Sequence, residues 1–131
     1  MPHLIVEYSA NIEDQLALDA LLDKLHATAL ATGVFPIGGL RVRAHRTAAY
    51  RIADLRAENG FVHVTAMIGQ GRPLDVQQRA AEELFAALTA HLEPLYAKSP
   101  LAISLNMQEF PVLNFKKNNL HEYVKRRAGK S

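Results

Sequence analysis

The 131-residue chain contains no cysteine, which excludes disulfides, thiolate nucleophiles and cysteine-bound zinc or iron–sulfur clusters. No apolar run approaches the roughly 18 to 20 residues of a membrane-spanning helix. The start carries neither the basic segment nor the small-residue cleavage site of a secretory leader. These absences lead us to expect a cytoplasmic protein with no membrane partner. The HExxH and GxSxG signatures are also missing, and with them two common designs of hydrolase. Gly69-Gln70-Gly71 opens like a dinucleotide fingerprint, but the third glycine is lacking and Pro73 stands where the pattern should continue, so a nicotinamide site is not expected. Six histidines are scattered without ligand-like spacing. His3 and His63 fall at matching points of two similar segments, which fits a repeated structural role better than a metal site. We expect neither metal nor cofactor.

What is present is the composition of an ordinary globular domain, 49% hydrophobic and 21% charged, and the length suits one domain over residues 1–131. The net charge of +2 hides an asymmetry. Lys116, Lys117, Lys125, Arg126, Arg127 and Lys130 crowd the last sixteen residues against one acid, Glu122, while the body before them is slightly acidic. The body has no matching basic patch, so the tail reads as a solvated end and not as a nucleic-acid surface.

Hydrophobic periodicity divides the chain. His3 to Ser9 reads as a strand, followed by a polar turn at Ala10-Asn11. From Ile12 the spacing becomes helical, with Leu16, Leu18, Leu21, Leu22, Leu25, Ala29 and Leu30 forming an apolar stripe and Gly33 a stop. Leu40 to Arg46 alternates apolar and basic residues as a second strand, and Thr47 to Asn59 is ambiguous, a possible continuation of that strand up to a turn at Asn59-Gly60. The order then repeats: a strand over Phe61 to Ile68, a glycine-rich turn, a helix from Leu74 to Lys98 and a strand from Leu101 to Glu109. In that helix Val76, Ala80, Leu84, Leu88, Leu92 and Leu95 carry the apolar face. The repeats, about 2–46 and 61–109, predict an α+β fold made of a duplicated β-α-β unit. Its four-stranded sheet should have two helices on one face, with a C-terminal extension over 110–131 ending in a short helix from Leu120 to Arg127. The free sheet face predicts oligomerisation.

With the familiar catalysts gone, the proline after the initiator methionine becomes the most informative residue. If Met1 is removed, Pro2 is a secondary amine held at the head of a strand, able to act as a general base. Arg41, after Gly38-Gly39-Leu40, and Arg72, in the glycine-rich turn, both sit where a substrate can approach the backbone. A guanidinium stays charged and grips a carboxylate through two parallel hydrogen bonds. An amine and two arginines describe a site for a carboxylate-bearing acid that loses and regains a proton.

The start Pro2-His3-Leu4-Ile5-Val6-Glu7-Tyr8-Ser9, the turn Gly33-Val34-Phe35-Pro36, Gly39-Leu40-Arg41, Gly69-Gln70-Gly71-Arg72 and Leu113-Asn114-Phe115-Lys116 occur in order along the chain. With them the sequence resembles the 5-carboxymethyl-2-hydroxymuconate isomerases of the tautomerase superfamily over nearly its whole length. The resemblance implies a cofactor-free homotrimer acting on a small polycarboxylate in the bacterial breakdown of homoprotocatechuate and 4-hydroxyphenylacetate. It also implies that Pro2 carries the proton and that Arg41 and Arg72 hold substrate carboxylates. Arg43, on the same strand face as Arg41, is the alternative for that position. Ala10 and the basic end after Val124 depart from the family's pattern. The remaining alternatives are a tautomerase for another 2-hydroxydienoate or for phenylpyruvate, and a non-catalytic oligomeric binding module.

Overall fold

A computed structural model describes residues 1–129 of the chain. Lys130, counted in the basic tail, lies outside the described residues. Four strands form one sheet: β1 His3–Ser9, β2 Arg41–Thr47, β3 Gly60–Ile68 and β4 Leu101–Glu109. Helix α1, Leu18–Ala31, connects β1 to β2, and α2, Leu74–Tyr96, connects β3 to β4. Each connection joins parallel neighbours, as a crossover helix must. The two units meet through β1 and β3, which run antiparallel, giving the order β2-β1-β3-β4.

The alternation legible in the strands decides which face the helices cover. Leu4, Val6 and Tyr8 of β1 and Val62, Val64, Ala66 and Ile68 of β3 are buried, and Leu21 and Leu25 of α1 and Leu84, Leu88 and Leu92 of α2 close over them. Full burial of each leucine, valine or isoleucine among them contributes about 1.5–3 kcal/mol. Both helices thus lie on one face. The opposite face carries His3, Ile5, Arg41, Arg43, His63 and Thr65, none of them fully buried.

The helix expected from Ile12 begins later. Ala10–Gln15 is a 3-10 helix, and Ala17 adopts a left-handed conformation at φ 48° before α1 starts. The reason is tertiary. Ile12 and Leu16 are both drawn into the core, and Ile12 packs so closely on Gly60 that a Cβ there would lie 2.8 Å from its Cγ2. The freed Leu16 carbonyl is met by His91 Nε2 at 2.7 Å. Beyond Thr47 the strand does not continue. Residues 48–59 form a loop pinned by two asparagines: Asn11 Nδ2 donates to the Ala57 and Asn59 carbonyls, and Asn59 Nδ2 to Ile52 O and Asp54 Oδ1.

Residues 111–119 run without regular structure into α3, Leu120–Ala128. The short helix expected over Leu120 to Arg127 is present, and the guanidiniums of Arg126 and Arg127 lie 4.9 and 5.6 Å from the ring centre of Tyr123.

Candidate active site

The strand directions bring distant segments to one end of the sheet. β1 and β2 begin there, and β3 and β4 end there. Pro2 precedes β1, Arg41 opens β2, Arg72 follows β3, and the chain leaving β4 returns across the same end with Lys116. Pro2 is buried, and its carbonyl accepts a hydrogen bond from the Arg41 amide at 3.2 Å, extending the β1–β2 ladder by one residue. Gly39 allows this approach: a Cβ there would stand 3.2 Å from Pro2 Cδ.

Two small cavities meet at the terminus. One, of about 160 Å³, is lined by Pro2, Gly39, Gly69, Arg72, Lys116 and His121, among others. The other, of about 110 Å³, carries His3, Arg41, Phe110, Asn114 and Lys116. Met1 and Lys116 border both. Arg41 and Arg72 thus line different cavities beside the terminus. Arg43 borders neither cavity and points its Nη1 at His3 Nδ1, 2.9 Å away on the open face.

Arg41 is held by its contacts but not saturated. Its Nη2 lies 2.7 Å from His3 Nε2 and 3.4 Å from the Met1 carbonyl, and its Nη1 reaches Met1 Sδ at 3.5 Å. Its buried Nε has no partner among the described residues, a cost that an arriving acceptor would remove. His3 stands between Arg41 and Arg43, with the ring of Phe110 edge-on at 5.7 Å. A neutral imidazole has one accepting nitrogen, so only one of the two arginines is served at a time. Partial burial and the two guanidiniums hold the His3 pKa below its ordinary value, which favours the neutral ring.

Arg72 is set by its turn. Gln77 Nε2 donates to the Arg72 carbonyl at 2.8 Å, Glu109 Oε2 accepts from the Gly71 amide at 3.1 Å, and Gln70 Nε2 reaches the Phe110 carbonyl at 2.7 Å. The returning C-terminal segment is fixed by Asn118, whose Nδ2 donates to the Gly38 carbonyl at 2.9 Å. His121 lies so close to Gly38 that a Cβ would fall 2.7 Å from its backbone Cα.

The field at this end is positive. The α-amino group of Met1 has a lowered pKa, first through desolvation and then through Lys116, Arg41 and Arg72 in that order. Sequence reasoning named two of these cations and missed Lys116 and His121. Lys116 stood in a motif already singled out, but its strand-free surroundings gave no periodicity from which to infer a position. Among the described residues, no group of three or more His, Asp or Glu is arranged to hold a metal ion, and no helix is long and apolar enough to cross a membrane.

Two β-α-β units joined antiparallel, with Pro2 behind Met1 and cations at one end of the sheet, make a tautomerase-like fold. A member of the cis-3-chloroacrylic acid dehalogenase family shares this fold, with TM-score 0.64 at 18% identity over 93% of this chain and 89% of its own. The family model of 5-carboxymethyl-2-hydroxymuconate isomerases matches residues 2–124, and the chain belongs to that family of isomerases. It is 41% identical over 126 residues to the 5-carboxymethyl-2-hydroxymuconate Delta-isomerase of Escherichia coli, covering 95% of this chain and 100% of that protein. The crystal structure of a 5-carboxymethyl-2-hydroxymuconate isomerase from Deinococcus radiodurans R1 superposes with TM-score 0.88 at 37% identity, over 94% of this chain and 93% of that one.

Proposed function

We propose that the chain ketonises 5-carboxymethyl-2-hydroxymuconate in homoprotocatechuate and 4-hydroxyphenylacetate catabolism, with Pro2 as the proton carrier once Met1 is removed. The observation that carries this reading is the position of Pro2: buried at the head of β1, lining the cavity that bears Arg72 and hydrogen-bonded through its backbone to Arg41. While Met1 is attached, the proline nitrogen is an amide without basicity. Its removal creates a secondary amine and takes away a wall common to both cavities. It also releases the Arg41 contacts now made to the Met1 carbonyl and sulfur.

The neutral amine accepts the enol proton of the substrate, leaving a dienolate, and the resulting ammonium returns a proton to the carbon that bears the carboxymethyl arm, giving the conjugated ketone. No electrons change hands and no co-reactant is consumed. Arg41 and Arg72 hold substrate carboxylates and stabilise the negative charge that builds on the dienolate, an effect of roughly 3 kcal/mol for one well-aimed donor in other enzymes. The burial and the cations that lower the pKa of the Met1 amine also favour the neutral form of a proline amine one residue further in.

A homotrimer is part of the same proposal. The helices cover one sheet face, and Val112, Leu113 and Phe115 on the returning segment are 80 to 91% exposed in the single chain, an apolar run suited to a neighbouring subunit. The test is ketonisation followed by ultraviolet absorbance, with the mass of the intact protein recorded in parallel. Met-free protein should be active, and Pro2→Ala should lose turnover while retaining much of its binding. Equal turnover by Pro2→Ala, or by protein retaining Met1, would remove Pro2 from the mechanism.

A further inference from the structure

Lys116 borders both cavities at the chain terminus and is the cation with the largest influence on the terminal amine after burial itself. The ion pairs found among the described residues join Arg46 to Glu13, Arg56 to Asp54 and Arg126 to Glu122. Arg41, Arg72 and Lys116 take part in none of them. Three cations without carboxylate partners therefore surround one amine. The substrate in the proposed function carries three carboxylates, whereas 2-hydroxymuconate, which lacks the carboxymethyl arm, carries two.

The arm's position narrows the assignment. It branches from the carbon that receives the proton, and that carbon must lie against the amine when the proton arrives. Arg41 and Arg72 line separate cavities beside the terminus, and Lys116 is the cation that borders both. The segment that carries it is positioned and not free: Asn118 bonds to the Gly38 carbonyl, its Oδ1 accepts from the Leu120 amide at 2.8 Å, and His121 rests on Gly38.

We infer that Lys116 is the specificity-determining anchor for the carboxymethyl carboxylate, the residue by which this site distinguishes a tricarboxylate dienol from a dicarboxylate one. This rests on the proposed function and deepens it. An ammonium on a flexible stem suits the task, because the arm rotates about its own methylene and needs a point charge more than a fixed bidentate fork.

The experiment compares Lys116→Gln and Lys116→Arg with the parent, all Met-free, on both dienols. Lys116→Gln should lower kcat/KM for 5-carboxymethyl-2-hydroxymuconate about ten- to a hundredfold, mostly through KM. Its effect on 2-hydroxymuconate should be about an order of magnitude smaller, and Lys116→Arg should recover most of the loss. An equal fall on both substrates would reduce Lys116 to a general electrostatic or structural role and overturn the inference, as would no fall on either. Binding of propane-1,2,3-tricarboxylate against glutarate, measured by calorimetry, separates the two readings. If the parent ketonised neither dienol, the proposed function would fail. A preference for the tricarboxylate that disappears in Lys116→Gln would still support the anchor, and a preference that survives would overturn it.

Discussion

The two ends of the sheet carry unpaired cations and cavity volume in opposite proportion. The larger opening, about 500 Å³, lies at the far end, under the 48–59 loop and lined by Asn11, Tyr50, Arg51, Ile52, Leu55 and Arg56, among others. Of its two cations one has a carboxylate partner: Arg56 faces Asp54, while Arg51 Nη1 donates to the Tyr50 carbonyl at 2.9 Å. The terminus end has two cavities of about 160 and 110 Å³, yet Arg41, Arg72 and Lys116 there have no carboxylate partner among the described residues. Volume is therefore a poor guide in this molecule. A small space where three cations lack carboxylate partners suits an anionic reactant better than a wide groove where one of two cations is paired.

Blocking the amine should break the contrast most severely. N-terminal extension or retained Met1 should lower kcat about 10²- to 10⁴-fold, the usual range for losing a general base, while an equilibrium melt shows the fold intact. Arg72→Ala should follow, with kcat/KM reduced about ten- to a hundredfold, as expected for charged hydrogen bonds worth about 1.5–3 kcal/mol. Arg56→Ala at the opposite end should change the same constant less than about twofold. Comparable losses at both ends would undo the distinction between them.

Gly38→Ala tests whether the returning segment matters. Both Gly38 and the Cα of His121 would have to move, since that atom would be 2.7 Å from the new methyl group. We expect about 1–3 kcal/mol of destabilisation together with a raised KM, read from thermal melts and steady-state kinetics. A raised KM without destabilisation would place the effect on the segment alone.

The pH dependence offers the smallest and most diagnostic change. Burial and the three cations lower the pKa of the Met1 amine; in the proposed mechanism the same surroundings act on the Pro2 amine of the Met-free chain, so its neutral form exists above the folded value and kcat/KM should fall as pH drops through it. Salt screens Lys116, Arg41 and Arg72, so raising ionic strength should move this acid limb to higher pH. His3 acts on stability with the same sign. Its pKa is lowered in the folded state, so its contribution is complete above the unfolded value of about 6.5 and is lost as pH falls toward the folded one. His3→Gln should flatten the stability curve in that window, as chemical denaturation at several pH values would show. A shift of the limb with salt in the opposite direction would contradict the cationic origin of the low pKa.

Much of the architecture was legible because it rests on local repetition. The alternation in His3–Ser9 and Leu101–Glu109 and the stripe Ala80, Leu84, Leu88, Leu92 each define a buried face without reference to the rest of the chain. Sequence reading failed where burial overrode that pattern. Ile12 and Leu16 continue the helical spacing of α1, yet the core takes them through a 3-10 turn and a left-handed Ala17. Thr47 to Asn59 has no periodicity, and the asparagine bonds that shape it link residues up to 48 apart.

By itself the sequence determined the four strands, the two long helices, the absence of thiol chemistry and the proline behind Met1, all properties of residue type and short spacing. Only the tertiary structure decided that these parts meet at one end of the sheet. Arg41 starts a strand and Arg72 follows the end of one, so a sheet with all strands parallel would put them at opposite ends. The antiparallel pairing of β1 with β3, from His3 opposite Met67 to Tyr8 opposite Val62, turns the second unit around and brings Arg72 back to Pro2. The chain leaving β4 then returns to that end with Lys116, whose place depends on contacts to Gly38 some eighty residues earlier.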